Sequence, residues 1–370
     1  MADASGRGKK AAAAGKTAKP ASRTKSTAKS AAGATASSAP ARSAHREPKG
    51  AVVPGLRSDK RGTSAGATRE GAAFQAPGGE RENRASGRAA IRKTYKLFIG
   101  GAFPRSESGR SYPVTGPDGA LLAHAARASR KDARDAVVAA RKAVSGWSGA
   151  TAYNRGQVLY RVAELLQGRE AQFRDEIVLN EGRSGRDAER TVTQAIDRWV
   201  WYAGWPDKVA QVAGAANPVA GPYFNFSVPE PTGVVAVVAP AESSLLGLVS
   251  VLAPVIATGN AAVVVASERR PLPAVTLAEV LATSDVPAGV VNVLTGFTAE
   301  LAPVLAAHMD VNAIDLTGVE PAARPDLEEL AAENVKRVFA GAADDWAAAP
   351  GTRRLLAFLE TKTVWHPVGI

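Results

Sequence analysis

Little in this sequence can do covalent chemistry. None of its 370 residues is a cysteine, which removes thiolate nucleophiles, disulfides and thiolate zinc sites together. The four histidines (His45, His124, His308 and His366) stand isolated, so the sequence predicts no metal site. Several apolar runs close on short segments that hold a carboxylate or a glycine. Pro240-Ala241-Glu242 follows Val-Val-Ala-Val-Val-Ala, Ser267-Glu268 follows Ala-Ala-Val-Val-Val-Ala, and Gly318-Val319-Glu320 follows Val-Asn-Ala-Ile-Asp-Leu-Thr. A carboxylate so placed can accept hydrogen bonds from a ligand hydroxyl, and a helix N-terminus after such a turn attracts an anion.

The elements that must position these residues lie between residues 234 and 318. Valine-rich runs at 234–240, 261–267, 290–296 and 311–318 predict strands. Helical patterns at 245–258, 273–283 and 299–308 alternate with them. Continuously apolar strands between helices mean a parallel sheet covered on both faces, with ligands beyond the carboxyl ends of the strands. The fold class is therefore α/β, of the Rossmann type. Upstream, residues 96–101 and 112–114 read as short strands. Residues 130–144 (Ser129 as N-cap), 153–181 and 186–205 read as helices, and Trp199, Trp201, Tyr202 and Trp205 as packing between them. Residues 223–228 alternate as a strand. Downstream come a helix (321–333), a strand (335–339), a loop (342–346), a short helix (352–359) and a last strand (360–367).

Charge divides the chain. Residues 1–93 carry 20 lysines and arginines against six acidic residues, a net of +14, while the whole chain is +11. No Leu, Ile, Val, Phe, Tyr or Trp precedes Val52. A segment so poor in apolar surface is expected to be a disordered basic tail, with non-specific attraction for nucleic acid through its spaced cations. No apolar run approaches the ~20 residues of a membrane span, and a compact secretory core is lacking, so a cytoplasmic protein without membrane attachment is expected.

The order of segments resembles one family. Ala-Pro-Val-Ile-Ala-Thr-Gly-Asn before a strand ending Ala-Ser-Glu, Pro-Ala-Gly-Val-Val-Asn-Val-Leu-Thr-Gly at 287–296, and Leu316-Thr317-Gly318 are similar to the cofactor-binding domain of aldehyde dehydrogenases. Residues 94–340 are identified on this basis as its N-terminal and cofactor-binding region. Residues 341–370 fit a remnant linker helix and a C-terminal oligomerisation strand. Between Gly318 and that strand the family carries a catalytic domain of ~150 residues or more; here about 40 residues join them. The resemblance thus implies an aldehyde dehydrogenase fold with an oligomerisation extension, formed with residues 223–228, and without most of the catalytic domain.

It also implies a missing active site. The family's reaction takes a nucleophilic thiol, an oxyanion donor and a base that activates water. There is no thiol. Glu242 stands where the oxyanion asparagine is expected, and Gly341 where the general-base glutamate is expected. No catalytic residue is left. The implied cofactor is NAD(P), but its site is eroded. Glu268, with Ser267, keeps the place of a ribose-binding Ser-Glu pair whose lysine is replaced by Val265. Gly318 keeps the diphosphate turn, with Val319, Glu320 and Ala323 in place of its serine, threonine and second glycine. The expected function is an inactive family member serving as a structural or partner subunit, in a homo-oligomer or with a full-length aldehyde dehydrogenase. An NAD(P)-dependent oxidoreductase acting on aldehydes and a polyanion-associated protein are the alternatives.

Overall fold

The computed structural model describes residues 92–341 and 345–369; the basic tail expected over residues 1–93 falls almost wholly outside them. The centre of the fold is a five-stranded parallel sheet. Its strands are β6 (Val234–Val238), β7 (Ala261–Val265), β8 (Val291–Leu294), β9 (Ala313–Asp315) and β10 (Arg337–Phe339), in the spatial order β10-β9-β6-β7-β8. All ten residues of β6 and β7 are buried. The two-residue period of a strand divides them between two cores. Val235 and Val237 pack with α6 (Leu246–Ala257), while Val234, Ala236 and Val238 pack with α1 (Arg130–Gly149) and α8 (Thr298–Ala307). The chain leaves β6 outward through β7, α7 (Leu272–Leu281) and β8, then returns through α8 to β9 on the other side of β6. This reversal opens a crevice beyond the carboxyl ends of β6 and β9, where such sheets bind ligands.

Helix starts follow local chemistry. Ser129 caps α1 in a reciprocal capping box with Asp132. The helical pattern over 153–181 is in fact two helices, α2 (Ala152–Gln167) and α3 (Glu170–Glu181), parted at Gly168-Arg169. Gly168 closes the first through its N–H to the Glu164 carbonyl, and Arg169 leaves helical geometry. Next comes α4 (Gly185–Ala203), with Trp199 and Tyr202 fully packed, then a single turn, α5 (Val209–Ala213). The strand expected at 96–101 is absent. Phe98 instead makes an isolated bridge to Val293, and Gly100 and Gly101 turn the chain with positive φ. The small sheet there uses β1 (Thr94–Tyr95), β2 (Ser111–Thr115) and β3 (Leu121–Ala126), in the order β1-β3-β2.

The C-terminal segment packs onto the same body. After α9 (Arg324–Ala332), α10 (Arg353–Ala357) sinks Leu355 and Phe358 into the main core. Asn260 ties it down, donating to the Phe358 carbonyl while accepting from the Gly233 N–H. β11 (Leu359–Pro367) then pairs antiparallel with β5 (Tyr223–Pro231) over their full nine residues, and β4 (Ala215–Asn217) flanks β5 on its other side. Among the described residues no helix is long and apolar enough to cross a membrane.

Candidate functional site

The crevice at the strand reversal is a cleft of about 360 Å³. It gathers residues from four places in the sequence: the loop after β6 (Glu242), the loop after β7 (Ser267, Glu268), the start of α8 (Thr298) and the turn after β9 (Gly318, Val319, Glu320). Gly318 is required by close approach. A Cβ there would lie 2.0 Å from the Ala239 carbonyl oxygen, so only glycine lets the two loops meet.

Each candidate has a definite environment. Glu268 accepts a hydrogen bond from the Thr298 N–H through Oε2 at 3.1 Å, at the N-terminus of α8, where a carboxylate is favoured. Its Oε1 makes no hydrogen bond among the described residues. The Ser267 hydroxyl is committed to the loop itself, donating to the Ala241 carbonyl and accepting from the Arg270 N–H. Glu242 is drawn into an ion pair with Arg270 at 2.6 Å, and Arg270 also holds the Glu242 carbonyl at 2.7 Å. Val265 is fully buried in the core and does not line the cleft. Gly341 is buried outside the cleft; its carbonyl accepts from Arg324, which also bonds the Val319 carbonyl from behind the turn. The sheet thus brings Glu242, Ser267, Glu268 and Gly318 together and leaves Gly341 apart. Arg270, Thr298 and Asp326 join the cleft region with no signal in sequence, because only the fold carries the first onto Glu242 and the last to the opening.

The residues fit one half of an NAD(P) molecule. The walls beside Glu268 are apolar, formed by Ala299, Ala302 and Pro303 on α8 and by Ala323 and Leu327 across the opening. A ring between them and hydroxyls on Glu268 would be well served. The diphosphate half is not. Val319 supplies no hydroxyl and is buried, and Glu320 puts a carboxylate at the turn. The N–H groups of Gly318 and Val319 are already spent on the Val238 and Leu316 carbonyls.

A doubly wound parallel sheet with this cleft defines an α/β protein of Rossmann-like fold. The model of the aldehyde dehydrogenase family matches residues 103–342, and the chain belongs to that family. Retinal dehydrogenase 2 of Gallus gallus is 33% identical over 251 residues, covering 66% of this chain and 48% of that protein. Omega-crystallin of Enteroctopus dofleini is 30% identical over 249 residues, with 66% and 50% covered. Among solved structures, HpcC from Thermus thermophilus superposes with a TM-score of 0.63 at 31% identity, over 66% of this chain and 47% of that one. An NAD+ complex of aldehyde dehydrogenase from Bacillus cereus superposes at 0.62 and 25% identity, with 66% and 50% covered. The chain therefore spans about half the length of the relatives it matches.

Proposed function

We propose that this chain is a catalytically silent aldehyde dehydrogenase homologue that works by association, as a subunit beside a second copy or a full-length family member. One observation carries the reading. β11 is held along one side by β5 for nine residues, and its other edge has no neighbouring strand among the described residues. Pro229 and Pro231 face Thr361 and Leu359 in the register, so these are positions where no β5 N–H points at β11. By alternation Thr361, Thr363 and Trp365 direct their own N–H groups to the open edge. Tyr223, Phe224 and Trp365 are exposed beside it, with Trp365 packed edge-on to Tyr223 at 5.8 Å. An open nine-residue edge with exposed aromatics is a template for another strand. The absence of any cysteine supports the catalytic half of the proposal.

The test is light scattering of the intact protein, with recovery of aldehyde dehydrogenase from extract of the same cell. We expect an oligomer or a recovered family member. Thr363→Pro removes an outward N–H, and with it the hydroxyl contact to Ser227 of β5, while sparing the backbone bonds to β5, and should return the protein to monomer with its circular dichroism unchanged. A wild-type monomer at micromolar concentration with no recovered partner overturns the reading.

A further inference from the structure

The cleft has two halves of opposite character, and the contrast names a ligand class. Once the Glu242–Arg270 pair is set aside, three lining carboxylates, Glu268, Glu320 and Asp326, face one guanidinium, Arg269. Neither N–H at the Gly318-Val319 turn is available to an anion. Arg324, the nearest further cation along the chain, is spent on the carbonyls of Val319 and Gly341 and does not line the cleft. A diphosphate would enter a net-negative site in which Arg269 is the one lining cation and the Gly318 and Val319 N–H groups are already spent. The other half suits a flat uncharged ring, and Glu268 Oε1 stands ready to accept from a hydroxyl. The free volume, about 360 Å³, lies near the small end of ligand pockets and suits one nucleoside better than a dinucleotide.

We propose that this cleft takes an uncharged purine nucleoside, its hydroxyls donating to Glu268 and its ring between α8 and the start of α9, and rejects the same nucleoside once it carries a diphosphate. The preference runs opposite to that of a dinucleotide site built on the same sheet. It is set by Glu320 and Asp326 through like-charge repulsion, and by the loss of hydroxyl and backbone donors at the turn. It does not depend on the assembly reading, which concerns the distant β11 edge.

Titration calorimetry on the full chain with adenosine, AMP, ADP and NAD tests it. Adenosine should bind best and ADP and NAD at least about tenfold more weakly, with the gap narrowing as salt is raised. Glu320→Gln keeps the shape of an exposed side chain and removes its charge. It should bring ADP and NAD back several-fold while leaving adenosine unchanged. Glu268→Gln should weaken every member of the series. NAD binding as tightly as adenosine, adenosine failing to bind at millimolar concentration, or a discrimination ratio unmoved by Glu320→Gln would each overturn the proposal. Light scattering reads the assembly separately, so either idea can fail alone.

Discussion

At the scale of single residues, the replacements expected at the family's catalytic positions would act in one direction. An ionised Glu242 repels a developing oxyanion, and Arg270 pairs with it at 2.6 Å and holds it in place. Glu242→Asn restores an amide without nucleophile or base, so aldehyde oxidation with NAD should stay undetectable in both wild type and variant. A turnover above ~1 per second, an ordinary enzyme rate, would contradict this. A second residue governs stability. Glu176 on α3 is 3% exposed. Its Oε1 accepts from Thr276 at 2.7 Å, and Oε2 has no partner. Burial pushes its carboxyl up to about 7, from the ordinary value near 4.3. The folded form therefore binds a proton that the unfolded chain has lost. Stability from this group is fully present below about pH 4 and is lost as pH rises through about 7, by roughly 3 kcal/mol in all. Glu176→Gln should flatten urea midpoints between pH 5 and 8, leaving a constant offset for the amide hydrogens placed where Oε2 has no partner.

At the scale of elements, a buried ion pair joins α10 to the sheet. Asp315, at the end of β9, is fully buried and pairs with Arg354 of α10 at 2.7 Å. Arg354 also bonds the Thr317 hydroxyl and lies over the Phe339 ring, 4.7 Å from its centre. Arg354→Met leaves a carboxylate in the core and should cost about 3–5 kcal/mol in denaturant titration. Asp315→Asn in the same chain removes the buried charge that Arg354 faced and should return most of the loss. If the double variant is no better than the single one, packing rather than charge holds α10. The loop after β9 has its own constraint. Gly318→Ala forces the turn off the Ala239 carbonyl, and we expect weaker adenosine binding at a nearly unchanged fluorescence spectrum of the distant tryptophans.

At the scale of the molecule, charge separates two kinds of behaviour. With +14 placed in residues 1–93 and +11 overall, the rest of the chain is mildly acidic. Affinity for polyanions should therefore vanish when residues 1–93 are removed. In the full chain its logarithm should fall linearly with the logarithm of salt concentration, and alike for DNA sequences of different composition. Gel shifts over a salt series check this, and a sequence preference that survives high salt would point to a folded reading surface instead.

The repeating valine runs alone determined four of the sheet's five strands, because a strand buried on both faces needs an unbroken apolar run and tolerates little else. They also placed Glu242, Glu268 and Gly318 at the ends of strands, where a cleft must form. The lack of a thiol was equally legible, since an absent cysteine needs no coordinates. What the sequence left open were matters of contact between distant residues. No period announces that Arg270 reaches Glu242 or that Ser267 is consumed by the Ala241 carbonyl. The break at Gly168 was masked by apolar spacing that continues in helical phase across it, and the bridge from Phe98 to Val293 replaced an expected strand because a partner edge was available there. The family resemblance placed the last strand with residues 223–228, but only tertiary structure could decide the nine-residue register of β11 on β5, since register is set by burial and pairing between segments 128 to 144 residues apart.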